Sequence, residues 1–272
     1  MDMKRFLMLT AASLLGAAVL SAQPRILAHR GGRAEQEENT LDAFKATYAA
    51  GCTGFETDVH ITADGEYVIM HDHTLERMTD GQGRIEQSTA AYIRSLKTKQ
   101  GRPVLFLDEL LDFIKGCRPG LYFEFEMKTN RQDYPPELLY KYCEDVYAKV
   151  TAVQKEGDMF LFTSFDPRPI VYLQEHHPDA DVMLLFGKPL SRDIVDLVVT
   201  LGLKRVAATI GGSSREVVKY AHEKGLTVSL WPGLAVEDTH LGYLLGSDFL
   251  CTDIPQEVMR YIDVHRLPIR YR

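Results

Sequence analysis

Short apolar runs alternate along the chain with longer stretches whose apolar residues recur at helical spacing. The runs at 25–29, 54–60, 67–70, 121–128, 159–164, 181–185, 205–208, 227–231 and 249–251 are expected to be strands. The stretches at 40–50, 107–115, 136–154, 167–176, 192–202, 214–224, 236–245 and 255–264 are expected to be helices. Boundary residues agree with this division: Thr40 and Ser213 or Ser214 are placed to cap helix starts, and Gly51, Gly116 and Gly225 to close helix ends. Strand–helix alternation implies a parallel sheet with helical crossovers. About eight such units in about 250 residues fit one closed (β/α)8 TIM barrel, an α/β single domain over 23–272. A doubly wound open sheet is the alternative, but no G-x-G-x-x-G follows the first strand. Residues 72–103 lack clear periodicity and are expected to cover part of the barrel mouth.

Residues 1–22 have a different pattern. Lys4 and Arg5 precede an apolar run over 6–20, and Ser21 and Ala22 supply small residues for cleavage. This pattern predicts a signal peptide and an exported chain, periplasmic or secreted, with no stable membrane anchor after cleavage. The run is shorter than the roughly 20 residues that span a bilayer.

Composition adds two constraints. Hydrophobic residues at 45% and charged residues at 25% describe an ordinary globular chain rather than a disordered one. With 31 Lys+Arg against 38 Asp+Glu the net charge is −7, a balance opposite to that of a nucleic-acid binder. A phosphorylated substrate would therefore need a local device, either a metal ion or a cationic cluster. Cys52, Cys117, Cys143 and Cys251 are widely spaced and form no C-x-x-C, so buried free thiols are the favoured reading, with one bridge as the alternative.

Two strands depart from the continuous apolarity of parallel strands. Period-2 alternation puts Glu56, Asp58 and His60 on one face of the second run, and Glu124, Glu126 and Lys128 on one face of the fourth. In an antiparallel sheet this face would be solvated. In a barrel it points inward, where clustered carboxylates need a partner. A hard divalent ion, Mg2+ or Ca2+, suits such an oxygen-rich set. His29, followed by Arg30 and a Gly31-Gly32 pair, and His71 sit at strand ends, where barrels gather their chemistry; together they suit general acid–base work.

These residues resemble the glycerophosphodiester phosphodiesterase family. The landmarks appear in order: His29-Arg30-Gly31, Glu38-Asn39-Thr40, Glu56-Thr57-Asp58, His71-Asp72, Glu126-Met127-Lys128, Ser164-Phe165-Asp166 and Thr252-Asp253-Ile254-Pro255. The resemblance implies one divalent cation on Glu56, Asp58 and Glu126, catalytic roles for His29 and His71, and phosphate-facing roles for Arg30 and Lys128. It also implies a small-molecule glycerophosphodiester as substrate, cleaved to glycerol 3-phosphate and an alcohol. Three departures stand out: Glu37 replaces the usual proline, Glu124 replaces a frequent asparagine, and Trp231 is followed by Pro232-Gly233-Leu234. Glu38 and Asn39 either organise the first loop or cap the following helix, and capping is the favoured reading. Trp231 is a candidate pocket wall, with a core position as its alternative. A lipid phosphodiesterase of the same superfamily and a non-catalytic sugar-phosphate-binding barrel are the competing functions.

Overall fold

The computed structural model describes residues 23–272, so the leader expected over 1–22 lies outside the described residues. Nine strands form one sheet: β1 (Arg25–Ala28), β2 (Gly54–Ile61), β3 (Tyr67–Ile69), β4 (Tyr122–Met127), β5 (Met159–Ser164), β6 (Asp181–Pro189), β7 (Arg205–Thr209), β8 (Thr227–Gly233) and β9 (Phe249–Thr252). Eight of them are parallel, and pairing of β1 with both β9 and β2 closes the barrel. Helices α1 (Leu41–Ala49), α2 (Ala90–Ser95), α3 (Leu107–Gly116), α4 (Pro136–Thr151), α5 (Pro167–His176), α6 (Arg192–Thr200), α7 (Arg215–Glu223), α8 (Val236–Leu245) and α9 (Pro255–His265) lie between and after the strands. Among the described residues no helix is long and apolar enough to cross a membrane.

The helices form where caps and periodicity coincide. In α3, Leu107, Leu110, Leu111 and Ile114 bury one stripe against the sheet. The side chains of Thr40, Ser191 and Ser214 accept hydrogen bonds from the first-turn amides of α1, α6 and α7. Outward-facing Phe55, Phe123, Phe125, Phe160 and Phe162 pack under the helices, with Phe55 and Phe123 stacked at 5.3 Å between centroids. Leu27, Tyr122, Leu161, Met183, Ala207 and Cys251 form a separate apolar cluster that fills the barrel interior. Tyr122 stacks on Phe249 at 4.4 Å beside it. The inward face of β2 and β4 is therefore floored by a packed plug, and the charged residues sit above it. All four cysteines are free and buried, in line with the favoured sequence reading.

Strand β3 corrects one expectation. It is not a barrel stave: it runs antiparallel to β2, with Val59 opposite Ile69 and Ile61 opposite Tyr67. The chain leaves the barrel at Ile61, turns, and descends alongside its own outgoing strand. The segment 72–103 then carries α2 and a small core of its own, in which Val68, Met70, Leu75, Ile85, Ile93 and Phe106 are buried together. Its short elements and mixed polarity gave no sustained period, which is why the sequence alone left it irregular.

Close approach of β1 and β2 depends on Gly54. A Cβ at that position would drive into the carbonyl oxygen of Ile26 and onto Leu27. Gly54→Ala is expected to destabilise the fold by about 1–3 kcal/mol, the usual cost of overpacking. A lowered urea midpoint at unchanged slope would register it.

Candidate active site

Register brings the carboxylates together. Glu56 lies opposite Glu124 and Asp58 opposite Glu126 across the β2–β4 pair. Candidate ligand oxygens of Glu56, Asp58 and Glu126 all lie within 4.8 Å of one another. Arg30 and Lys128 partly neutralise them: Lys128 Nζ is 2.7 Å from Glu126 and 3.5 Å from Asp58, and Arg30 Nε is 3.5 Å from Asp58. Asp58 is fully buried, and its Oδ1 accepts no hydrogen bond. Burial and the charges of Asp58 and Glu126 hold the Glu56 carboxyl well above its usual range. Burial also raises Glu126. Asp58 moves the other way, because Lys128 and Arg30 overcome the cost of its burial. Three crowded carboxyls with an unsatisfied oxygen fit a divalent cation bound by oxygen donors.

Both histidines face the same pocket, and both are held from behind. His29 lies in a 3-10 turn directly after β1, and its Nδ1 is 2.5 Å from Asp253 at the end of β9. Arg33 holds the other oxygen of Asp253 at 2.8 Å. His71 arrives from β3, whose reversed direction folds it back over Asp58. Its Nδ1 is 2.7 Å from Asp72, which Arg77 clamps through two oxygens. In each ring the Nδ1–carboxylate bond leaves Nε2 as the free nitrogen, and that of His29 lies 3.8 Å from Glu56. Burial lowers His71 to about 4, which favours its neutral form.

Backbone conformation contributes as well. Arg30 adopts a left-handed φ of 51°, unusual for a residue with a side chain, and Gly31 and Gly32 continue the turn at positive φ. This turn points the Arg30 amide at Glu56, which accepts at 3.0 Å.

A cavity of about 110 Å³ is lined by His29, Arg30, Glu56, His71, Glu126 and Trp231, among others. Asp58 and Lys128 are not among the lining residues, but Lys128 contacts Glu126, which is. Trp231 is thus a pocket wall, with Phe165 packed edge-on at 5.7 Å. Glu124 also lines the cavity, where burial raises its carboxyl to about 7.

The structure overturns the capping reading of Glu38 and Asn39. Thr40 alone caps α1. The amide of Asn39 donates to Asp58 at 2.8 Å and accepts from Thr57, so it orients a carboxylate of the trio. Glu38 bridges Arg30 and Arg77, linking the two histidine segments. Asp253 went unassigned in the sequence, although the T-D-I-P landmark contains it; its position just past the last strand was the available clue.

The fold and site together define a (β/α)8 barrel with a carboxylate-rich, cation-ready centre between two carboxylate-held histidines. The sequence profile of the glycerophosphoryl diester phosphodiesterase family matches residues 29–257, and the chain belongs to that family. It is similar to glycerophosphodiester phosphodiesterase 1 of Rattus norvegicus, 44% identical over 167 residues, a match covering half of each chain. A glycerophosphodiester phosphodiesterase of Caldanaerobacter subterraneus is 41% identical over 243 residues, which cover 87% of this chain and 97% of that one. The crystal structure of a glycerophosphoryl diester phosphodiesterase from Silicibacter pomeroyi, described as putative, superposes with a TM-score of 0.82 at 25% identity over 92% of this chain and 96% of that one.

Proposed function

We propose that this chain is a divalent-metal-dependent glycerophosphodiester phosphodiesterase releasing glycerol 3-phosphate and an alcohol. The observation that carries this reading is the pair of carboxylate-held imidazoles lining one pocket above Glu56, Asp58 and Glu126. Those three carboxylates would hold the cation, and their all-oxygen character favours Mg2+ or Ca2+. When bound, the cation supplies charge neutralisation and polarisation of the phosphodiester. Arg30 presents a planar fork suited to two phosphate oxygens, and Lys128 a point charge beside it. One imidazole withdraws a proton from the attacking oxygen through Nε2, and the other protonates the departing alcohol. The carboxylate behind each ring fixes the tautomer and steadies the imidazolium as it forms. Trp231 and Phe165 limit water at the pocket wall. The pattern of residues 1–22 supports an exported, periplasmic or secreted, enzyme.

Products decide the reading. With glycerophosphocholine, glycerol 3-phosphate and choline are expected in equal amounts. Release of phosphocholine and glycerol would overturn it. Turnover of sphingomyelin or lysophospholipid without turnover of glycerophosphocholine would favour the lipid phosphodiesterase instead.

A further inference from the structure

Among the described residues a second group of metal-ligating side chains lies away from the carboxylate trio: His60, His73 and Glu86. His60 ends the charged face of β2, His73 follows β3, and Glu86 sits in the 3-10 turn Ile85–Gln87 of the excursion. Their ligand atoms lie within 4.8 Å of one another. Oε1 of Glu86 is 2.9 Å from His60 Nδ1 and 3.0 Å from His73 Nδ1. The mechanism uses none of these three side chains.

Further polar groups surround the cluster. His60 Nε2 lies 3.4 Å from the carbonyl oxygen of His71, an arrangement that suits a proton on Nε2. A neutral His60 then turns a lone pair on Nδ1 toward an oxygen that also carries lone pairs. His73 Nδ1 faces the Asn130 amide nitrogen at 3.3 Å as well as Glu86, and that amide also donates to Asp133 at 2.8 Å. The orientation of that amide is set independently, since Asn130 Oδ1 accepts from the backbone of Gln132 and Asp133. Meanwhile Glu86 is only 3% exposed, and its Oε2 is buried without a hydrogen-bond partner.

Two imidazole nitrogens and a buried carboxylate, one oxygen of which has no partner, lie close enough to share one cation. A ring nitrogen whose opposite N–H is held by a backbone carbonyl is also the usual arrangement of a metal-bound histidine. Two nitrogen donors and one oxygen donor suit a borderline ion better than Mg2+ or Ca2+. His73 is about a third exposed and leaves a route from solvent, whereas His60 is fully buried.

We propose that His60, His73 and Glu86 form a second, zinc-type cation site, chemically distinct from the carboxylate trio, that staples the 72–103 excursion to the rim of the barrel. Its ligands come from β2, from the segment after β3 and from the excursion's turn, so occupancy closes a loop between them. Because His73 lies two residues beyond His71, the staple also steadies the segment that carries that imidazole.

The test uses the full chain stripped of metal, with Co2+ as the spectroscopic probe and Zn2+ as the stabilising ion. Three proteins are compared: the unmodified chain, His73→Ala, whose partly exposed side chain can be removed without opening the core, and Glu56→Gln, which disables only the carboxylate trio. Visible Co2+ absorption of imidazole ligation is expected in the unmodified chain and in Glu56→Gln, and is lost in His73→Ala. Zn2+ at a hundredfold excess over Kd is expected to raise Tm by about 5–10 °C in the unmodified chain and in Glu56→Gln, and by clearly less in His73→Ala. An undiminished Co2+ band or Zn2+ shift in His73→Ala would overturn the proposal. So would their disappearance in Glu56→Gln, or the absence of both signals from the unmodified chain.

Discussion

Replacing either His29 or His71 with alanine is expected to lower kcat by about 10²- to 10⁴-fold, the range of one lost acid or base. The fold should survive both changes, because neither leaves a buried charge without a partner. Asp253 keeps Arg33 at 2.8 Å when His29 is removed, and Asp72 keeps Arg77 when His71 is removed. Thermal melting should therefore stay near that of the unmodified protein while turnover collapses. Asp253→Asn should give an intermediate loss, since it keeps the His29 side chain but withdraws the charge that steadies its imidazolium. The double histidine variant should lose less than the product of the two single losses, as groups that act as a unit do. Near-normal kcat in either single variant would refute the assignment of two histidines to proton transfer.

The second large effect concerns the carboxylates. Complete chelation is expected to abolish hydrolysis, and added Mg2+ or Ca2+ to restore it. Asp58→Asn is expected to cost about 10³-fold or more in kcat, in keeping with the several kcal/mol a cation contributes to transition-state charge stabilisation. Stability should respond differently. Glu56 is held well above its usual range by burial and two neighbouring carboxyls, so the folded chain binds that proton more tightly than the unfolded chain does. The folded state then loses stability as pH rises from the unfolded value toward the folded one. Glu56→Gln removes this cost and should raise the melting temperature in chelator at neutral pH while eliminating activity. A variant that melts lower in chelator, or that hydrolyses substrate normally, would show that these carboxylates do not crowd a cation site. Opposed signs are expected because Lys128 and Arg30 offset the carboxylates only in part.

Much of this arrangement was readable in the chain because two periods rarely coexist by accident. Alternation in β2 and β4 placed Glu56, Asp58, Glu124 and Glu126 on one face, and the register of those strands set them opposite one another. Eight of the nine helices among the described residues were legible, α5 and α8 to the residue, whereas α2 lies in the stretch that shows no clear period. A strand's sequence carries no direction, however, so β3 looked like one more stave. Its reversal depends on pairing with β2 that only the folded chain reveals. The roles of Asn39 and Asp253 were hidden for a related reason: each acts on a residue far along the chain, and the local signal of a loop or a helix start masks that contact. Glu38 looked like part of a cap because a polar residue before a helix usually is one.

The antiparallel return of β3 has a consequence for how activity is inherited and lost. His29 is borne by the barrel, but His71 is borne by an excursion with its own small core around Leu75, Ile85 and Ile93. The two imidazoles are therefore supported by two different apolar clusters. A side chain such as Ile93 touches none of the reacting groups, yet it governs how faithfully one of them is presented. Substitution in that small core is expected to alter presentation of His71 while leaving the barrel's own core around Phe55 and Phe123 intact.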